Sequence, residues 1–250
     1  MPITLSLLNA PLVADQPVEI VERKGLGHPD SICDALAEEL SLALCRFYRD
    51  TCGLIMHHNV DKVLLCAGEA EPAFGGGRVV KPMEIFLSGR ATTLCDGAEV
   101  PLAQLIEDSA GAWLRRHLHA LNPEAHVKLH AMVRPGSPEL VELFRRSQRE
   151  GIWLANDTSC GVGYAPLTPL EQVVLAVEQA LTEKSLYESE PAFGEDVKVM
   201  GLRRGRRIEL TVACALIDRH LQNVDDYLVA KERIANLSRT TAARLTDMPR

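Results

Sequence analysis

The chain has 250 residues, enough to bury a large core in one or two domains. Hydrophobic residues at 46% and charged residues at 24% are ordinary for a globular protein, and a net charge of −7 removes any general electrostatic reason to bind nucleic acid or an anionic membrane. Any polyanion must be held by local positive charge.

After a short apolar lead, Val18-Glu19-Ile20-Val21-Glu22 alternates as a half-buried strand does. The turn Gly25-Leu26-Gly27 then feeds a helix from Pro29 to about Arg49, on which Ile32, Leu36, Leu40, Ala43, Leu44 and Phe47 form one apolar stripe and after which Gly53 closes the element. Strands are expected at Lys62–Glu69 and Met83–Leu87, separated by a loop with three consecutive glycines, Gly75-Gly76-Gly77. A helix over Leu102–Leu121, a strand over His126–Met132 and a helix over Pro138–Arg149 follow. Further on, the pattern predicts a strand at Gly161–Ala165 and a helix at Pro169–Lys184. A strand pair, Val197–Leu202 and Ile208–Ile217, and a last helix from after Asn223 towards Leu245 complete the chain. Helix followed by two strands occurs more than once, which points to α+β modules with helices on one face of antiparallel or mixed sheets.

The seven cysteines form no C-x-x-C pair and sit mostly in apolar segments, so reduced thiols are expected. The eight histidines have no partner ligands at a recognised zinc spacing. No apolar run is long enough to span a bilayer, and the N-terminus lacks the basic start and cleavage site of a signal peptide, which predicts a cytoplasmic protein.

Four clusters place glycine and charge together at element ends, where a ligand can reach. In the first, Glu22 through Asp34, Pro29 suits the first helical position and Gly25 and Gly27 let backbone approach a ligand. His28 and Asp30 then sit at the positive end of the helix dipole, beside free N–H groups suited to anionic oxygen. A glycine turn with a capped helix is the plain structural alternative. The second, His57-His58-Asn59-Val60-Asp61-Lys62, is otherwise a hydrophilic loop. The third runs from Ala155 to Pro166 with Asp157 among hydroxyl neighbours, which an Asx turn also explains. In the fourth, Gly194 to Gly201, Lys198 points the same way as Asp196 and Met200. No P-loop and no G-x-S-x-G elbow occurs.

Together these clusters resemble the archaeal-type methionine adenosyltransferases (S-adenosylmethionine synthetases). The shared words are Val21 to Asp34, His57-His58-Asn59 with Asp61, Phe74-Gly75-Gly76-Gly77, Ser88-Gly89-Arg90-Ala91-Thr92, Ala155 to Pro166 and Gly194 to Leu202, in the family's order. Cys160 stands where the family usually has phenylalanine, and Ala35 where glycine is common. The chain stops at Arg250, roughly two-thirds of the way through a family member and before its glycine-rich phosphate-contacting segment. That marks either a fragment or a shortened relative, with reduced activity or none when alone.

The resemblance implies an S-adenosylmethionine synthetase-like fold of two-layer modules. A first module would span residues 1–100 with the His-Pro-Asp site and a second 101–250 with the other two glycine-rich segments, the third family module being absent. It also implies attack of methionine sulfur on C5′ of ATP, expulsion of the triphosphate and its cleavage. A neutral thioether needs no general base, so catalysis rests on positioning and on stabilising the leaving polyphosphate. By resemblance, His28 donates a hydrogen bond to the departing oxygen, Lys198 reaches the phosphates and Asp30 holds Mg²⁺; K⁺ is one candidate for an assisting monovalent ion, whose identity the sequence leaves open. Glu22 and Gly27 match positions near the nucleotide, Glu69 one near methionine, and Asp157 one beside methionine and ribose. ATP and L-methionine as partners, and a homodimer with shared sites, follow from the same likeness. A non-catalytic subunit that pairs with a complete one is the alternative, and a phosphohydrolase acting on the polyphosphate alone is a remoter one.

Overall fold

The alternation near the N-terminus forms strand β1 (Val18–Lys24), and Pro29 opens helix α1 (Pro29–Cys52). The computed structural model describes residues 3–7, 9–95, 97–152 and 160–246. Next come β2 (His58–Cys66), β3 (Glu69–Glu71), β4 (Arg78–Lys81), β5 (Met83–Ala91), β6 (Leu94–Cys95), β7 (Ala98–Glu99), α2 (Leu102–His117), α3 (Pro123–His126), β8 (Val127–Pro135) and α4 (Pro138–Glu150). The rest is α5 (Pro169–Thr182), α6 (Lys184–Ser189), β9 (Phe193–Arg204), β10 (Arg207–Leu216) and α7 (Val224–Thr246). Helices and mainly antiparallel sheets in two layers make this the expected α+β class.

One sheet has the order β1-β9-β10, all antiparallel, and α5 and α7 cover one of its faces. The other has the order β2-β5-β8, with β5 and β8 parallel, and packs against α1 and α2. On α1 the buried residues recur every four positions, Ile32, Leu36, Leu40, Leu44 and Tyr48. Fully burying each leucine contributes about 1.5–3 kcal/mol. Tyr48, not Phe47, takes the last buried place because its hydroxyl can donate to the Thr92 carbonyl at 2.6 Å. Gly53 ends the helix in the left-handed region at φ +71°, its N–H bonding the Arg49 carbonyl.

In the first sheet Val197 and Val199 face Leu170, Val174, Val177 and Leu181 of α5. Gly201 permits that approach, since a Cβ there would stand 2.6 Å from Val174 Cγ2. A capping box, Thr168 with Glu171, starts α5. The Thr168 hydroxyl also donates to buried Glu19 at 2.5 Å, and Arg203 pairs with the same carboxylate at 3.1 Å.

Several expectations are corrected. In the sheets, β1 pairs into the layer of β9 and β10, while β8 joins β2 and β5, because strand pairing is set by registers that local pattern does not encode. No strand forms over residues 161–165. The strand expected to run Lys62–Glu69 spans His58–Cys66, and Gly68 beyond it passes so close to Lys81 that a Cβ would lie 2.3 Å from the Lys81 carbonyl oxygen. Cys33, Cys45, Cys66, Cys160 and Cys214 are free, but Cys52 is disulfide-bonded, against the expectation of thiols throughout. No helix of the described residues is long and apolar enough to cross a membrane.

Candidate active site

The turn between β1 and α1 lies flat on the first residues of β9. Gly25 N–H bonds the Val197 carbonyl at 2.7 Å and Gly27 N–H the Glu195 carbonyl at 3.0 Å. A Cβ on Gly27 would stand 2.5 Å from the Glu195 carbonyl carbon and 2.7 Å from the Asp196 nitrogen, so only glycine fits. The turn therefore delivers His28 to a fixed place.

His28 is the N-cap of α1, and its Nδ1 accepts the Asp30 N–H at 3.1 Å. In the neutral ring that leaves the proton on Nε2, which bonds no partner among the described residues and can donate to a ligand. Asp30 follows with its carboxylate exposed at the positive end of the helix.

On the adjoining sheet face, Lys24 of β1 lies directly opposite Lys198 of β9. Like charges in that register repel. Glu22 bridges them, with its carboxylate 3.1 Å from Lys198 Nζ and 3.6 Å from Lys24 Nζ, and Lys24 also pairs with Asp30. The Lys198 hydrogen bond holds the Glu22 carboxyl below the usual carboxylate range, and the Lys24 bond does the same for Asp30. Lys24 in turn is raised by Asp30. Partial burial pushes the Asp196 carboxyl up, while His28 close by pulls it down.

The structure thus brings together Glu22, Gly27, His28, Asp30 and Lys198. Lys24 and Asp196 complete the cluster and were not singled out from sequence. Asp196 was legible as two residues before Lys198 on one strand face, whereas Lys24 depends on a register between distant strands. Glu69 stands apart, paired with Lys81 at 2.6 Å in the β3–β4 hairpin. Its neighbour Gly68 does line a cavity of about 370 Å³ together with Gly27, Pro29, Met83 and Asp196. Asp157 lies outside the described residues.

A larger cavity of about 1070 Å³ opens on the other side of Pro29, between α1 and β2, with Asp30, Asp34, Asp61 and Arg90 in its wall. Of the second cluster, His57 to Asp61 line it. His58 bonds Ser41 Oγ and the Met56 carbonyl, each at 3.0 Å, and tilts against the Tyr48 ring, which makes it a packing residue.

The S-adenosylmethionine synthetase (AdoMet synthetase) family model matches residues 2–250. A probable S-adenosylmethionine synthase of Aquifex aeolicus is 48% identical over 236 residues, covering 94% of this chain and 59% of the relative. The S-adenosylmethionine synthase of Hyperthermus butylicus is also 48% identical, over 93% of this chain and 58% of its own length. The chain therefore spans less than two thirds of the curated relatives it matches. An unusual S-adenosylmethionine synthetase from Campylobacter jejuni superposes with a TM-score of 0.54 at 12% identity, covering 93% of this chain and 54% of that one, a likeness of fold. With the motif words in family order, the layered fold and a match from end to end, the chain belongs to the S-adenosylmethionine synthetase family.

Proposed function

We propose that this chain carries the nucleotide-binding part of a methionine adenosyltransferase, which transfers the adenosyl group of ATP to the sulfur of L-methionine and expels triphosphate. The observation that carries the reading is the N-cap imidazole: its Nδ1 is occupied by the Asp30 N–H, so Nε2 is the donor offered to an oxygen leaving C5′. Lys198 and Lys24 supply positive charge on the same sheet face and exchange their carboxylate partners for phosphate oxygens. Glu22 keeps the two lysines in register meanwhile.

Two lysines against Glu22, Asp30 and Asp196 leave the cluster net negative, so a polyphosphate needs a divalent cation to bind there. The donor set fits Mg²⁺. The exposed Asp30 carboxylate offers the hard oxygen such an ion takes, one or two carboxylates being enough beside phosphate oxygens and water. Asp30 would hold it, and when bound it would offset charge on the leaving phosphates. Glu69 and Asp157 towards methionine, and K⁺, are carried by family resemblance alone. The homodimer and the shared site draw support from the outer sheet faces, where Ile20, Leu64 and Met132 are 67%, 59% and 43% exposed. A cytoplasmic location follows from the same family reading.

The test is S-adenosylmethionine formation by the purified chain with ATP, methionine and Mg²⁺. His28→Ala should lower kcat about a hundredfold, the usual loss for one transition-state donor, with a smaller change in ATP affinity. An unchanged kcat refutes the role of His28. Turnover that appears only after mixing with a full-length family member supports the partner-subunit reading instead.

A further inference from the structure

The face of β9 that points away from the lysines carries a second charged contact, and it ties the two layers together. Glu195 is buried, 8% exposed, yet it lies on the strand face that otherwise packs Val197 and Val199. Its carboxylate accepts the backbone N–H of His119 at 2.6 Å and faces His119 Nδ1 at 2.5 Å. His119 comes from the connection after α2, which belongs to the other layer. The ring is itself fixed: Nε2 lies 3.2 Å from the Pro191 carbonyl, and the imidazole stacks on Tyr187 with centroids 5.1 Å apart.

The main chain of the same residue does different work. The Glu195 carbonyl accepts Gly27 N–H, and its carbonyl carbon and the next nitrogen are the atoms that fill the space beside Gly27. One residue later, Asp196 emerges on the opposite face beside His28. So the side chain of Glu195 is held by one layer while its backbone is the floor under the turn that aims His28.

We infer that the His119–Glu195 pair is a latch that positions His28 and Asp196 by fixing the start of β9 beneath the Gly25-Leu26-Gly27 turn. The inference rests on the adenosyl-transfer reading only for its effect on rate. Neither residue reaches the lysine face, so both are positioning residues and not catalytic ones. A buried carboxylate that loses its donors must move towards water or be left unpaired, and β9 moves with it.

His119→Leu removes the ring donor, whereas the amide nitrogen of His119→Asn stands where Nδ1 stood and keeps it. In amide hydrogen exchange on the 250-residue chain, Gly25, Gly27 and Asp30 should exchange about tenfold faster in H119L and near their original rates in H119N, while Leu44 in the α1 core keeps its protection in both. Should H119L fail to fold, Glu195→Met, which keeps the length of the side chain and removes both acceptor oxygens, makes the same comparison. Unchanged protection at 25, 27 and 30, or equal loss in the Leu and Asn variants, overturns the latch. In the adenosyl-transfer assay H119L should lower kcat about tenfold with the KM for ATP within about twofold, and should have no further effect in a His28→Ala background. An equal fall in both backgrounds overturns positioning through His28. If the unmodified chain neither binds ATP nor transfers an adenosyl group, the functional reading falls, and the exchange comparison still decides the latch.

Discussion

Gly27→Ala puts one methyl group where the structure has backbone. Carbon atoms in contact normally sit about 3.5–4.0 Å apart. The added Cβ would lie 2.5 Å from the Glu195 carbonyl carbon and 2.7 Å from both the Asp196 nitrogen and Glu195 Cβ, so the turn or the start of β9 must shift by roughly 1 Å. Two of these atoms are backbone and the third is a Cβ fixed to it, so no flexible side chain can give way. Overpacking of this kind costs about 1–3 kcal/mol, which for a chain of this length lowers Tm by roughly 3–10 °C. A displacement of about 1 Å at His28 costs on the order of a hundredfold in rate, so activity should fall further than stability accounts for. Differential scanning calorimetry and the S-adenosylmethionine assay measure the two effects, with Gly161→Ala, whose Cβ would meet no atom of the described residues within 4 Å, as the stability control. If Gly27→Ala melts within about 1 °C of the unmodified chain and keeps its kcat, the close approach of turn and strand is not what holds His28.

Glu19→Ala takes the carboxylate away from the half-buried Arg203 guanidinium, which keeps only the Val13, Gln16 and Gly205 carbonyls, and from the Thr168 hydroxyl, and should cost on the order of 3 kcal/mol in denaturant unfolding; a loss under about 0.5 kcal/mol would mean the pair is solvated. At Asp218, burial pushes the carboxyl up, but bonds from the Gly77 and Ala73 N–H groups outweigh it and leave its pKa below the ordinary 3.8. A lowered folded-state value gives stability that is complete above the unfolded value and lost as pH falls through the folded one. The stability gap between the unmodified chain and Asp218→Asn should therefore be constant above about pH 5 and close in more acidic solution, and a gap that widens with acid contradicts the assignment. The Cys214 thiol is pushed up to about 11 by burial, which leaves on the order of one thiolate in a thousand at pH 8. Mass spectrometry after alkylation at that pH should find exposed Cys66 and Cys160 labelled well before Cys214, and equal rates would show that Cys214 is not buried as described.

Much of the local structure was legible. Four-residue spacing on α1, proline at its first position and glycine after its end fixed that helix to within a turn, because each signal reports a physical need of the backbone. The same reasoning placed His28 and Asp30 at a helix N-terminus, and period-two alternation put Lys198 beside Asp196. What stayed hidden depends on partners distant in sequence. Nothing near Val18 announces that β1 pairs with β9, nor near Val127 that β8 runs parallel to β5. Lys24 and the His119–Glu195 pair were missed for the same reason, since their meaning is a juxtaposition. His58 shows the converse: a histidine beside another histidine suggested chemistry, and the structure uses it to bridge α1 and β2.

The pairing of β1 with β9 also sets an order of events during synthesis. Glu19 and Arg203 are 184 positions apart, so the N-terminal strand leaves the ribosome long before the strand that will hold it. The layer built on α1, α2 and β2-β5-β8 has all its parts by residue 135 and can condense first, while Val18 and Ile20 wait unpaired. The histidine turn is then seated last, when the final strands arrive, and a nascent chain halted before them would display a formed helix with no floor beneath its capping imidazole.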